Sequence, residues 1–174
     1  YIGWNLRREP FNDRRVRQAM TMLLDRQSIL KNIYYCLGKV VSGPFYINTP
    51  YYDHSIKPLA YDPERAKKLL AEAGWIDHNG DGWLDKNGKT FRFELLIVAD
   101  SQNAEKIATI YKEELKKAGI DMQIRRLEWS VFLQHIQEWK FDACMLGWAL
   151  DANPDPYQLW HSSMADVKGS SNHI

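Results

Sequence analysis

The sequence predicts an α/β fold built on a mixed, largely parallel β-sheet with helices packed against it. The first observation is the order of hydrophobic periods in the second half of the chain, which alternates strand-like and helical segments. That order is typical of crossover connections between parallel strands. The second is size: 174 residues, 45% of them hydrophobic, suffice for one domain with a substantial core.

The first half of the chain predicts one short strand and three helices. Residues 1–6 read as a strand, and an irregular loop packed by aromatic side chains is expected over residues 43–58. Each helix begins at an aspartate that can accept hydrogen bonds from the first turn. These aspartates are Asp13, Asp25 and Asp62. Gly38 and Gly74 are expected to end the second and third helices.

The second half predicts three strands and three helices. In order they are a strand over 90–99, a helix over 101–118, a strand over 120–127, a helix over 130–139, a strand over 141–146 and a short helix over 156–162. Phe91, Phe93 and Leu95 alternate before a fully apolar run, which indicates a strand that enters the centre of the sheet.

Charge and composition exclude several classes of function. With 23 basic and 22 acidic residues, the net charge of +1 gives no electrostatic reason to expect nucleic acid as a partner. The five histidines share no metal-ligand spacing, so no transition-metal site and no cofactor is expected. Cys36 and Cys144 lie in apolar contexts and are predicted to be buried free thiols.

The segment after the last predicted strand is the candidate binding site. Residues 147–156 offer a glycine, a large aromatic side chain and a carboxylate within five positions: Gly147, Trp148 and Asp151. Open α/β sheets bind ligands at the carboxyl ends of their strands. An indole beside a carboxylate suits a ligand with an apolar body and a cationic group. The alternative is a plain strand-to-turn connection in which Trp148 belongs to the core.

A second segment resembles the start of a calcium-binding loop. The residues at ligand positions one, three, five and nine are Asp77, Asn79, Asp81 and Asp85, and Gly82 stands where such a loop turns sharply. Position twelve carries Gly88 in place of the expected bidentate glutamate. The favoured interpretation is a structural turn rich in Asx hydrogen bonds, and calcium binding is its alternative.

Catalytic motifs are absent from the sequence. It contains no nucleophile elbow, phosphate-binding glycine loop or zinc-protease helix. His161 and Ser162 have the composition of a nucleophile and its base, but sequence neighbours rarely form such a pair, and the end of a helix accounts for both. We therefore expect no enzyme, with a hydrolase as the rival class.

Several motifs in order resemble the family 5 extracellular solute-binding proteins of ABC importers. They are PFNDRRVRQA at 10–19, LDRQSI at 24–29, YDPERAKKLLAEAGW at 61–75, the Gly/Asp-rich turn at 77–88, EW at 128–129, FD at 141–142, GW at 147–148, PDP at 154–156 and GSSN at 169–172. The resemblance spans nearly the whole chain. It implies that residues 1–174 are most of the C-terminal lobe of a two-lobed, type II-like periplasmic binding protein, without the N-terminal lobe and the final C-terminal elements. The way the chain begins and stops also predicts a fragment.

The resemblance also implies a mechanism. In the family's peptide receptors two lobes close over an extended peptide, which adds as a strand to the backbone matching Gly147, Trp148 and Ala149. The carboxylate matching Asp151 pairs with the peptide's α-ammonium group. Because Ala152 and Asn153 separate Asp151 from the PDP turn, a one-residue shift in alignment would move this role to Asp155.

The family also implies partners, a location and alternative ligands. The expected partners are a peptide and the membrane permease subunits of an importer, with the receptor itself monomeric. The expected location is the periplasm or the extracellular face of the cytoplasmic membrane, with a lipid anchor as one option. A nickel chelate, haem, an oligosaccharide or an opine could replace the peptide.

Overall fold

Six strands occur in the computed structural model, which describes residues 1–149 and 155–172. They are β1 (Ile2–Trp4), β2 (Asp85–Lys86), β3 (Lys89–Thr90), β4 (Arg92–Val98), β5 (Asp121–Leu127) and β6 (Ala143–Met145). Four of them form one sheet in the order β1–β6–β4–β5, and β2 and β3 form a separate hairpin. In the sheet β4 is parallel to both of its neighbours, whereas β1 is antiparallel to β6. This mixed, mostly parallel sheet confirms the predicted fold class.

The helices begin where the sequence predicts. They are α1 (Arg14–Met22), α2 (Arg26–Asn32), α3 (Pro63–Glu72), α4 (Gln102–Lys117), α5 (Trp129–Gln137) and α6 (Tyr157–Trp160), followed by a 3₁₀ turn at Ser162–Met164. The three predicted cap aspartates accept hydrogen bonds from main-chain N–H groups of the first turn at 2.8–3.0 Å. In the part of the chain that the structure describes, no helix combines the length and apolar composition that a membrane crossing needs.

Two apolar layers cover opposite faces of the sheet, because successive side chains of a strand point to opposite sides. Phe93, Leu95 and Ile97 of β4 enter the larger layer, which also receives side chains from α1, α3 and α4. The hydroxyl of the buried Tyr111 donates a 2.7 Å hydrogen bond to the carbonyl of Met20 there, linking α4 to α1. The smaller layer packs α5 on the other face through Leu96, Phe132, Ile136, Phe141 and Cys144.

The region after α2 departs from the prediction. The helix ends at Asn32 instead of continuing towards Gly38, because Tyr35 and Cys36 adopt left-handed backbone conformations with φ of 50° and 61°. The thiol of Cys36 is consequently exposed, so the prediction of a buried thiol was wrong there and right for Cys144. Both cysteines are free.

Candidate functional site

A crevice lies at the carboxyl end of the sheet, beyond the point where the pairing between β4 and β6 stops. Among the described residues their ladder consists of two pairs, Leu95 with Ala143 and Leu96 with Cys144, although β4 continues to Val98. On its other side β6 stays paired with the N-terminal strand, since the main chains of Tyr1 and Leu146 exchange hydrogen bonds of 2.8 and 3.1 Å. The N-terminal segment therefore pairs with one edge of Met145 and Leu146, and both residues also line the crevice.

The crevice is a mostly apolar cavity of about 340 Å³ over the ends of the parallel strands. Its lining comes from the end of β4, the first turns of α4 and α5, and the end of β6: Val98, Ser101, Asn103, Ala104, Ile107, Trp129, Met145, Leu146 and Gly147, with Tyr34 from the loop after α2. Trp129 is 52% exposed although its indole side chain is large and mostly apolar. A large aromatic side chain left half in water beside an apolar cavity is typical of a ligand-binding surface.

A larger cavity of about 500 Å³ adjoins the crevice and shares Tyr34, Ile107, Met145 and Leu146 with it. The other residues that line it are Tyr1, Ile2, Trp4, Met20, Thr21, Leu24, Arg26, Ile29, Leu30, Lys39, Val40, Val41 and Tyr111. Its walls are thus aliphatic and aromatic, with two cationic side chains and no carboxylate. Together the two cavities form one continuous surface on the carboxyl side of the sheet.

Residues 147–149 present an accessible main chain beside this surface. Gly147 and Ala149 are exposed, and a methyl group added at Gly147 would meet no atom within 4 Å. Within the described part of the chain, neither of these residues forms a main-chain hydrogen bond. The half-buried Trp148 stacks on the ring of Tyr1, with centroids 5.5 Å apart and planes inclined by 10°. Trp148 therefore does not belong to the core. The alternative interpretation of this segment required that it did.

The predicted ammonium anchor, Asp151, lies outside the described residues, as do Ala152, Asn153 and Pro154. Asp155 is described, and its Oδ1 accepts a 2.9 Å hydrogen bond from the main-chain N–H of Tyr157 at the start of α6. This carboxylate therefore has a structural role of its own.

The calcium-like turn uses its side-chain oxygens within the turn. Asp77 accepts hydrogen bonds from the main-chain N–H groups of Gly80 and Gly82 at 2.8 and 2.9 Å. Asp85 accepts both from the main chain of His78 and from its ring, at 3.0 and 2.9 Å.

Asn79 and Asp81 of this turn accept from the N–H groups of Asp81 and Trp83, at 3.1 and 2.9 Å. Among residues 1–149 and 155–172, no three histidine, cysteine, aspartate or glutamate side chains are grouped to hold a metal ion. These contacts favour the structural interpretation of the turn.

The groups considered for a hydrolase are engaged in local contacts. His161 lies 2.8 Å from the hydroxyl of Ser163, not Ser162, and its Nδ1 accepts from the N–H of Ser163 at 3.2 Å, which caps the 3₁₀ turn. Close to the crevice, burial raises the pKa of the Cys144 thiol to about 12, so it remains a protonated and poor nucleophile.

Sequence reasoning identified the end of β6 but missed the rest of the crevice. Val98, Ala104 and Trp129 come from three elements separated along the chain, and each belongs to an ordinary apolar pattern. Their positions in the sequence could have indicated the crevice, because Val98 lies at the end of one predicted strand and Trp129 directly follows the next predicted strand. Carboxyl ends of parallel strands meet at one edge of a sheet.

Comparisons with known proteins all find similarity to extracellular binding proteins of bacteria. Residues 1–170 match the bacterial extracellular solute-binding proteins, family 5 Middle. The oligopeptide-binding protein AppA of Bacillus subtilis is 41% identical over 179 positions, which cover 100% of this chain and 32% of AppA. The heme-binding protein A of Haemophilus influenzae is 30% identical over 173 positions, which cover 99% of this chain and 29% of that protein.

The similarity extends to three dimensions. The structure of AppA from Bacillus subtilis in complex with a nonapeptide matches with a TM-score of 0.92 at 40% identity, covering 100% of this chain and 35% of the other. The chain thus spans about a third of the length of the relatives that it matches.

Proposed function

The chain belongs to the bacterial extracellular solute-binding proteins of family 5, and from this premise we propose that it is most of the C-terminal lobe of a peptide receptor of an ABC importer. The observation that carries the proposal is its likeness, along its whole length, to an oligopeptide-binding protein whose structure holds a nonapeptide. The family consists of binding proteins and not of enzymes, so the hydrolase alternative is dropped.

The backbone register explains how this lobe would hold an extended peptide. Asp142 and Leu146 direct their main-chain groups towards β1, because Asp142 accepts from Asn5 at 2.9 Å and Leu146 pairs with Tyr1. Alternate residues of an extended segment direct these groups to opposite sides. Continued extension of β6 therefore turns Gly147 and Ala149 towards the crevice, where a peptide strand can pair with them.

We assign the ends of the guest to side chains of the same segment. Asp151 pairs with the α-ammonium group of the peptide, and the indole of Trp148, oriented by its stack on Tyr1, forms a wall beside the first residues. Because most of the affinity then comes from main-chain groups, the receptor accepts peptides of varied sequence. Asp155 is the alternative anchor, although one oxygen of its carboxylate already accepts a hydrogen bond from the main chain of Tyr157.

The remaining parts of the proposal concern the complete receptor, by which we mean the longer protein that contains this lobe. A second lobe closes over the peptide as a hinged clamp. The closed, monomeric receptor delivers its guest to permease subunits at the outer face of the cytoplasmic membrane, either free in the periplasm or held by a lipid anchor.

Calorimetry on the complete receptor tests this function. We expect saturable heat on titration with a nonapeptide, and mass spectrometry should recover that peptide unchanged. Haem and a nickel–histidine chelate serve as matched alternatives, since a relative of similar coverage is a heme-binding protein. Binding of haem or the chelate without binding of any peptide would contradict the peptide proposal while leaving the family membership intact.

A further inference from the structure

Residues 155–172, which we call the α6 unit, are linked to one another by side-chain contacts. The ring of Tyr157 stacks on that of His161, with centroids 4.5 Å apart, and the hydroxyl of Tyr157 lies 3.0 Å from the hydroxyl of Ser163. The side chain of Asn172 donates a 3.1 Å hydrogen bond to the carbonyl of His161. Because these contacts join the start, the middle and the end of the unit, a contact that fixes one part of it positions the whole unit.

The α6 unit is not held in place by core packing. None of its residues is buried, and the indole of Trp160 is 48% exposed. Within the described part of the chain, the hydrogen bonds and ion pairs that join the unit to the rest of the lobe come from Arg7 and Glu138. The ion pair of Glu138 with Lys168 is long, at 3.8 Å, and exposed ion pairs contribute little. Arg7 therefore supplies the stronger link.

Arg7 makes three contacts at once. One terminal nitrogen of its guanidinium donates to the carbonyl of Ala165 at 2.8 Å and to the carboxylate of Asp166 at 2.7 Å. The guanidinium carbon lies 4.9 Å from the centre of the Trp139 ring. Because the side chain of Asp166 is 85% exposed, that ion pair alone adds little. The link therefore depends mainly on the charge-assisted bond to the main chain of the unit and on the indole contact.

The main chain at Arg7 is itself fixed by a buried amide. The side-chain nitrogen of Asn5 donates to the carbonyls of Trp139 and Phe141 at 3.0 and 2.8 Å. The side-chain oxygen of Asn5 accepts a 3.1 Å hydrogen bond from the N–H of Arg7. A buried amide with both of its ends bonded specifies one local conformation, so Arg7 projects from a rigid part of the lobe.

We propose that Arg7 is a positioning residue for peptide binding, a role that rests on the proposed function. Tyr1 pairs with Leu146 directly before the binding segment, and Arg7 holds the α6 unit that follows Asp151. The short segment 1–7 is therefore tied to both flanks of the stretch that carries the proposed anchor. By restricting these flanks before the guest arrives, Arg7 lowers the entropic cost of binding without contacting the peptide.

Calorimetry and hydrogen exchange on the complete receptor test this role. Arg7→Gln should weaken binding of a nonapeptide by about fivefold, because the flank is no longer preorganised. Without peptide, the amides of Trp160 and Met164, which are hydrogen-bonded within the unit, should exchange at least about threefold faster. The melting temperature should stay within about 2 °C, since the unit lies outside the core. Arg7→Lys keeps the charge but loses the flat guanidinium over Trp139, and should weaken binding by about twofold.

Arg8→Gln is the matched control. Arg8 is a similarly exposed neighbour that pairs with Asp142 at 2.7 Å and, among the described residues, does not bond to the α6 unit. We expect its effect on peptide affinity and on exchange in the unit to stay below about twofold. Asp166→Asn removes the exposed carboxylate and leaves the bond to Ala165, so its loss of affinity should be smaller than that of Arg7→Gln.

The two measurements separate this inference from the peptide proposal. Equal peptide affinity in Arg7→Gln and Arg8→Gln would overturn the positioning role. So would a loss of affinity without faster exchange in the α6 unit, because Arg7 would then act by another route. Failure of every peptide to bind, with faster exchange in Arg7→Gln and not in Arg8→Gln, would instead overturn the peptide proposal and confirm that Arg7 holds the unit.

Discussion

The turn at residues 77–85 and the segment at residues 147–149 differ in how their hydrogen-bonding groups are used. The first follows a helix and the second follows a strand, and the sequence makes each of them a candidate ligand-binding site. In the turn, the side-chain oxygens of Asp77 and Asp85 accept hydrogen bonds from the turn's own groups. In the segment, the exposed main chains of Gly147 and Ala149 have no such partner within the described residues.

A binding motif needs available hydrogen-bonding groups as well as the right residue types. A carboxylate that already accepts main-chain hydrogen bonds stabilises its own loop, and binding a ligand would have to compete with those bonds. An exposed main-chain edge beside an apolar cavity has hydrogen-bonding capacity left over, which an extended guest can use. We therefore propose that the turn serves stability and that the segment serves binding.

The largest expected effect concerns the anchor. In the complete receptor, Asp151→Asn should weaken binding of a peptide with a free amino terminus by about 100-fold, or ~3 kcal/mol, because the α-ammonium would remain buried and unpaired. The N-acetylated peptide should bind both forms with similar affinity. Calorimetry measures both peptides on both forms.

Asp155→Asn is the matched control for the anchor. It changes the same functional group four positions away, where the carboxylate accepts from Tyr157. We expect its effect on peptide affinity to stay below about threefold. A larger loss for Asp155→Asn than for Asp151→Asn would move the anchor to residue 155.

The next effect concerns the main-chain edge. Replacing the peptide amide that pairs with the carbonyl of Gly147 or Ala149 by an ester removes one N–H donor and leaves the side chains intact. Affinity should fall by about tenfold, or ~1.4 kcal/mol, for that position. Esters placed one after another along the peptide should show alternating losses, because only every second N–H of a strand faces the partner. A uniform profile would contradict strand addition.

A smaller effect is expected in the turn, and it should appear in stability. Asp77→Ala removes the acceptor of two main-chain N–H groups and should lower the free energy of unfolding by about 1 kcal/mol, with peptide affinity unchanged. Urea titration measures the first and calorimetry the second. Glu113→Ala is the control, an exposed carboxylate that forms no hydrogen bond among the described residues and should change neither. A loss of peptide affinity in Asp77→Ala would mean that the turn also contributes to binding, which would contradict the difference proposed between the two regions.

The smallest expected effect is that of calcium. Millimolar calcium should leave the melting temperature within about 1 °C of its value in chelator, because a ligand stabilises a protein only through preferential binding to the folded state. Gly88 also replaces the glutamate that such loops use at position twelve. A rise of several degrees that Asp77→Ala abolishes would restore the calcium interpretation.

Much of the fold could be predicted from local chemistry, because caps and strand alternation depend on neighbours in the sequence. Asp13, Asp25 and Asp62 cap helices as predicted, and Phe91, Phe93 and Leu95 are buried as their alternation requires.

The end of α2 could not be predicted in this way. Left-handed conformations at Tyr35 and Cys36, which are not glycines, have no local signal, and they expose a thiol that its apolar neighbours suggested was buried. A burial prediction from composition therefore failed where the backbone left the helix early.

From the sequence, only the part of the site that lies on one continuous segment could be predicted. The exposed end of β6 follows from the strand-to-loop transition at residue 147, whereas the crevice depends on side chains from β4, α4 and α5 that meet only in the folded chain.

Hydrogen exchange at residues 146–149 of the complete receptor tests the central claim most directly. The amide hydrogens of Gly147 and Ala149 should exchange rapidly without ligand and at least about tenfold more slowly with saturating peptide. The amide of Leu146, which already donates to Tyr1 at 3.1 Å, should change little and serves as an internal reference. Equal exchange at Gly147 and Ala149 with and without a bound peptide would contradict the assignment of this edge to peptide binding.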